Sequence, residues 1–119
     1  MALWLPAFDD RIKASVSNCC CLSYKDSLPH DIGIQMEFCI PGIMEKHEVK
    51  DIVNLIQDCP LLISATNDDV WSLGAEELYN AVEPTLGDNV ELKTWNGKHV
   101  FTPEMRQYAY SFLDRNLLG

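Results

Sequence analysis

The second half of the chain alternates between helix-like and strand-like patterns of apolar residues. Within 46–57, four apolar residues recur at the spacing of one helical face, which predicts an amphipathic helix. They are Val49, Ile52, Val53 and Ile56. The run 61–65 follows, nearly all apolar and without alternation, as is typical of a strand covered on both faces of a parallel sheet.

The remaining residues continue this alternation. A helix is predicted over 73–83, and 90–95 alternates apolar and polar positions, which indicates a strand nearer the sheet edge. Thr102 and Pro103 have the residue types of an N-cap and first helical position, and the closing helix runs to about residue 117. Strands joined through a helix lie parallel with a right-handed crossover. We therefore predict an α/β fold with a short, mostly parallel sheet between two helical layers.

The first half of the chain is less regular. Residues 12–21 predict a third strand, and 1–8 resembles the end of a helix. The stretch 22–44 contains two prolines and two glycines and exceeds the usual length of a connection, so it is expected to be partly loop. No repeat or linker divides the chain, and 1–119 is treated as a single domain.

Charge narrows the classes of function. Nine Lys and Arg oppose 18 Asp and Glu among 119 residues, giving a net charge of -9. This acidity argues against binding to nucleic acid or to an anionic membrane surface. No apolar run approaches the roughly 20 residues that span a bilayer. We expect a cytoplasmic protein without nucleic-acid or membrane partners.

The five cysteines show neither a metal-ligand spacing nor an even disulfide framework. Cys19, Cys20 and Cys21 are consecutive, and we expect reduced thiols and no metal or cofactor. Cys39 and Cys59 have the apolar surroundings of small core residues. A weaker alternative is a thiol or metal site built from the cysteine cluster with His30 or His47.

Two chemically active side chains follow two of the predicted strands. Asp68 comes just after the strand at 61–65, and His99 just after the strand at 90–95. Ligands bind beyond the carboxyl ends of strands in an open parallel sheet, so both residues are expected at one rim. A carboxylate that accepts from an imidazole fixes its tautomer and leaves the other ring nitrogen to act as a base. Each residue alone is more often a turn former or a solvated loop side chain.

The stretch 60–117 resembles the C-terminal part of an α/β-hydrolase. The resemblance depends on Pro-Leu-Leu-Ile from Pro60, on Thr66-Asn67-Asp68, on Gly97-Lys98-His99-Val100-Phe101 and on the Thr-Pro-Glu-Met start of the last helix. This pattern is similar to the dienelactone hydrolase and acetyl xylan esterase-like branch. The resemblance implies that Asp68 is the acid and His99 the base of a catalytic triad, with Asp69 as the alternative acid.

One element of that family is missing from these 119 residues. They contain no Gly-x-Ser-x-Gly, the sharp turn that carries the nucleophilic serine, and the family pattern would place it before Met1. Cys19 to Cys21 lie at the end of a predicted strand and are a weak substitute. The sequence therefore predicts a truncated ester hydrolase that keeps its acid and base, is inactive alone, and acts on a small ester only if another segment completes it.

The alternative function is a non-catalytic remnant that serves as an interaction module. The strand at 12–21 would be central in a full hydrolase and is expected to present an unpaired edge here. Unpaired edges invite pairing with another copy, so a homo-oligomer is expected.

Overall fold

Three parallel strands form the centre of the fold. They are β1 (Ser15–Asn18), β2 (Leu61–Thr66) and β3 (Val90–Trp95), arranged in the order β1-β2-β3. The computed structural model describes residues 1–20, 23–27 and 40–119. In register, Ser15 lies opposite Leu61, and Leu61 opposite Val90. The α/β class and the parallel sheet predicted from sequence are confirmed.

Five helices surround this sheet in the described part of the chain. They are α1 (Leu5–Phe8), α2 (Tyr24–Ser27), α3 (Val49–Val53), α4 (Ala75–Leu86) and α5 (Pro103–Leu117). Single 3₁₀ turns occupy Ile43–Glu45, Val70–Ser72 and Gly87–Asn89. None of the helices in these residues is long and apolar enough to cross a membrane.

Strand β2 lies in the middle of the sheet, and all six of its residues are buried. Successive side chains of a strand point to opposite faces, so β2 supplies both cores. Leu61, Ile63 and Ala65 belong to the larger core, which also includes Val49 and Val53 of α3 and the buried residues of α4. Leu62 packs on the other face with Ala109 and Phe112 of α5. The three-layer arrangement that the apolar run predicts is thus formed.

Helix α3 is shorter than the helix predicted over 46–57. It begins after Glu48, whose carboxylate accepts from the Val49 amide while Asp51 accepts from the Glu48 amide, and this capping box fixes its start. Beyond Val53 the amide of Ile56 bonds to the carbonyl three residues back, so the chain tightens into 3₁₀ turns. Ile56 nevertheless belongs to the core, because residues three apart in a 3₁₀ turn lie on the same face, here that of Val53.

Helix α4 begins two residues later than predicted. Leu73 has an extended backbone, and Gly74 takes a φ of +83°, which the helix start requires and which favours glycine. Pro84 lies within the last turn, and Gly87, with a φ of +55°, ends the helix. Leu78 and Val82 of the predicted apolar face are buried, whereas Leu73 lies before the helix and is exposed, because the start depends on the backbone geometry at Gly74.

The first half agrees with its predictions in part. Strand β1 occupies four residues of the predicted 12–21, and α1 is one turn within 1–8. Of the long connection 22–44, the described residues include α2 and the turn at Ile43–Glu45. Glu48, the N-cap of α3, also accepts from the backbone amides of Tyr24 and Lys25, so it connects α2 to the start of α3. Cys21, His30 and Cys39 lie outside the described residues.

Candidate functional site

The candidate site lies where the three parallel strands reach their carboxyl ends. Cys19 directly follows β1, Asp69 follows β2 by a short turn, and His99 follows β3 in the next loop. Because parallel strands end at the same edge of a sheet, three segments distant in sequence meet here. This is the rim at which the strand pattern predicts the reactive side chains.

His99 pairs with Asp69. Its Nδ1 lies 3.1 Å from Oδ2 of Asp69. Asp68, the acid expected first from the sequence, is not the partner: its backbone amide donates to the carbonyl of Gly97, and the residue is exposed. The structure thus brings together His99 and Asp69, the alternative acid of the adjacent pair Asp68 and Asp69.

The carboxylate of Asp69 is buried and is held by several donors. It accepts from the Trp71 amide at 3.0 Å, from the Ser72 hydroxyl at 2.9 Å and from the Thr66 hydroxyl at 3.4 Å. Burial by itself raises the pKa of Asp69, but the bonds from Trp71, His99 and Ser72 together hold this pKa below its ordinary value. The side chain is therefore a fixed anion at neutral pH although only 1% of it is exposed.

His99 lies at the surface of the same site, with 59% of its side chain exposed. The Trp71 ring lies beside it, with 6.1 Å between the ring centroids. An anion that accepts from Nδ1 leaves Nε2 unprotonated in the neutral ring, and it stabilises the imidazolium once Nε2 takes a proton. The pair therefore has the arrangement of a general base with its orienting acid.

Asn67 joins the aspartate turn to the histidine loop. Its backbone amide donates to the Trp95 carbonyl. Its side-chain NH₂ group donates to the side-chain oxygen of Asn96, and its side-chain oxygen accepts from the backbone amide of Gly97. Gly97 has a φ of +140°, so a side chain at this position would strain the loop. These bonds fix the distance between the two loops, and hence the position of His99 relative to Asp69.

Cys19 is the third side chain of the site. It has a φ of +50°, which is uncommon for a residue other than glycine, and it is 2% exposed. Its Sγ lies 3.5 Å from the Thr66 hydroxyl oxygen and donates to the Val100 carbonyl at 3.5 Å. The thiol of Cys19 is free, as is that of Cys59. His47, the other histidine in the described residues, is exposed on the segment before α3 and takes no part.

Sequence reasoning did not assign roles to Thr66, Asn67, Ser72 or Trp71. One local signal was available, because Asp69 and Ser72 have the spacing of a turn cap and its hydroxyl partner. The hydrogen bonds of Asn67 join loops about 30 residues apart in sequence, so no local sequence pattern predicts them.

Comparison with known proteins adds the fold to this geometry. No family model and no curated protein matches the chain. Among solved structures, it is similar to a promiscuous CE15 esterase from a marine bacterial metagenome, with a TM-score of 0.65 and 19% identity. The match covers 98% of this chain and 39% of the esterase, so the chain spans less than half the length of that protein. The chain has a partial α/β-hydrolase-like fold.

Proposed function

We propose that this chain carries the acid and base of an ester hydrolase site, with His99 as the base and Asp69 as the acid. The observation that carries the proposal is the contact of 3.1 Å between His99 Nδ1 and the buried carboxylate of Asp69. The structurally similar protein is an esterase, and Gly97 to Phe101 resembles the histidine loop of such enzymes. The substrate class is a small carboxylic ester.

In this mechanism His99 moves one proton in each half-reaction. Nε2 takes the proton of the attacking hydroxyl as that oxygen bonds to the ester carbonyl carbon. The same proton then passes to the leaving alcohol as the carbon–oxygen bond breaks. Asp69 keeps Nδ1 protonated and stabilises the positive imidazolium between these steps. The dense hydrogen bonding of Asp69 supports this role, because it keeps the carboxylate oriented and charged.

The nucleophile is the part of the mechanism that these residues leave open. No Gly-x-Ser-x-Gly occurs among them, so we propose that a further segment or a separate chain supplies the serine and the oxyanion donors. The members of a triad act as a unit. The 119 residues alone therefore lack the full activity of a triad and are expected to hydrolyse esters only slowly, with water as the nucleophile and His99 as its base.

Hydrolysis of p-nitrophenyl acetate by the purified chain tests the proposal. We expect a slow rate above that of buffer, which His99→Ala reduces to background because the base is lost. Asp69→Asn should lower the rate about tenfold or more, since general base catalysis depends on a correctly oriented and charged partner. The readout is the initial rate of nitrophenolate release at neutral pH.

Two matched variants separate this role from general effects. Asp68→Asn changes the neighbouring exposed aspartate, and His47→Ala removes another exposed imidazole. Both should retain the rate of the unmodified chain. A rate indistinguishable from buffer, or one that His99→Ala and His47→Ala reduce equally, would contradict the proposal and favour a non-catalytic protein.

A second candidate function is an interaction module that assembles through its sheet. The specific observation is that β1 pairs with β2 on one side, and no described strand pairs with its other side. The N-terminal segment, whose Ala2 carbonyl accepts from the Ser15 hydroxyl of β1, exposes Met1 and Phe8. We propose that a second copy of the chain covers this edge.

A further inference from the structure

Cys19, Asp69 and His99 form a compact cluster of three different ligand types. One thiol sulfur, one carboxylate oxygen and one ring nitrogen all lie within 4.8 Å of one another. Two of the three side chains are almost fully buried, and His99 forms the solvent side of the cluster. The three residues come from the ends of three different strands, so their positions are set by the sheet rather than by a flexible loop alone.

This combination of ligands suits a divalent cation of intermediate softness. Zn²⁺ is bound in proteins by thiolate, imidazole and carboxylate, at about 2.3 Å for sulfur and about 2.0–2.2 Å for nitrogen and oxygen. These bond lengths put neighbouring ligand atoms of a tetrahedral site roughly 3.3–3.6 Å apart. The Asp69–His99 contact already lies near this range, and the Cys19 sulfur lies within 4.8 Å of the ligand atoms of both.

The surroundings of Asp69 resemble the outer shell of a metal site. Bonds from the Trp71 amide and the Ser72 hydroxyl fix the carboxylate, as outer partners commonly do for a metal-binding carboxylate. The surroundings of Cys19 argue against a nucleophilic role instead. Its sulfur is buried, and it donates to the Val100 carbonyl, an oxygen that would repel a thiolate without a cation beside it.

We propose that Cys19, Asp69 and His99 bind one Zn²⁺ ion, with a water molecule on the solvent side as the fourth ligand. The cation replaces the proton of the Cys19 thiol, so each ion bound forms one zinc–sulfur bond and releases one proton to solvent. The site does not depend on the proposed ester hydrolysis. Because it uses His99 and Asp69, bound zinc occupies the base and blocks the hydrolysis.

Cobalt substitution in the full, reduced chain tests the site directly. Co²⁺ added to chelator-treated protein should produce a thiolate-to-cobalt charge-transfer band at one ion per chain, and Zn²⁺ should abolish the band by displacement. His99→Ala alters an exposed side chain and keeps all five cysteines. It should weaken binding at least tenfold, because one of three protein ligands is lost. Cys19→Ser should remove the charge-transfer band.

The control variants address the other thiols and histidines. Cys59→Ala removes a buried thiol elsewhere in the core and should leave the affinity unchanged, as should His47→Ala. Zn²⁺ should also raise the melting temperature of the unmodified chain but not of His99→Ala. A sulfur–cobalt band that persists in Cys19→Ser, or an affinity that His99→Ala does not change, would overturn the proposal. A zinc site with no ester hydrolysis leaves this proposal standing and rejects only the proposed function.

Discussion

Asp69 is a buried anion whose charge is maintained by its hydrogen-bond donors. In the unfolded chain this carboxyl has its ordinary pKa, near 3.8, and in the folded chain its pKa is lower. A group with a depressed folded pKa binds protons more readily when the protein unfolds. It therefore contributes stability that is present above its unfolded pKa and is lost as the pH falls through the folded pKa.

Replacing Asp69 by Asn should consequently destabilise the protein in a pH-dependent way. At pH 7 we expect the free energy of unfolding to fall by about 1–3 kcal/mol, the range for losing hydrogen bonds to a buried charged group. The difference from the unmodified chain should shrink as the pH is lowered past 3.8. Urea denaturation between pH 7 and pH 3 measures it. Asp68→Asn should change little at either pH, and a pH-independent difference for Asp69→Asn would contradict the argument.

The aspartate doublet shows what a sequence can and cannot resolve at this scale. The pattern places both Asp68 and Asp69 just after a buried strand, and either could reach the histidine. Two bonds decide between them: the Asp68 amide donates to Gly97, and Asp69 caps the turn Val70–Ser72. Both depend on the path of the backbone after β2, which side-chain periodicity does not encode.

At the scale of elements, α5 depends on the cap at its first turn. The Thr102 hydroxyl accepts from the Met105 amide at 3.2 Å, and Pro103 occupies the first helical position. Met105, Ala109 and Phe112 are its buried residues. Tyr108, which packs against the same core, donates to Glu91 of β3, and Arg115 also contacts Glu91. The cap therefore helps to fix the helix that directly follows the histidine loop.

Thr102→Ala should reduce the free energy of unfolding by about 1 kcal/mol, the usual cost of losing an N-cap hydroxyl. Thr102→Ser keeps the hydroxyl and should restore most of this stability. Chemical denaturation followed by far-UV circular dichroism provides the measurement. Equal stability of the alanine and serine variants would show that the Met105 amide is satisfied by another acceptor.

The elements that were predicted best are those with the strongest local signals. Strands β2 and β3 and helix α5 match their predicted ranges within a residue or two, because an unbroken apolar run, an alternation and a Thr-Pro cap mark them. Helix α3 was predicted too long. The apolar spacing that predicts this helix continues to Ile56. Residues three apart also lie on one face of a 3₁₀ turn, so Val53 and Ile56 keep this spacing although the α-helix has ended.

At the scale of the molecule, the sheet and its two helical layers match only part of a larger similar structure. The chain spans 39% of the similar esterase, and its sheet ends at β1 among the described residues. The amides of Ser15 and Cys19 donate to the carbonyls of Pro60, just before β2, and of Ser64 in β2. The amides of Val16 and Asn18 alternate with them and point to the other side of the strand, where no strand lies among the described residues. That edge offers both donors and acceptors for another strand.

If a second copy of the chain pairs with this edge, the protein should dimerise with rising concentration. Sedimentation velocity should show a dimer, and the amides of Val16 and Asn18 should exchange with solvent slowly at high concentration and quickly at low concentration. Val16→Pro removes one outward donor and should shift the equilibrium to monomer, because proline cannot join a strand ladder through its nitrogen. Circular dichroism of this variant checks that it folds. A native chain that stays monomeric, with rapid exchange at both amides throughout, would contradict assembly through β1.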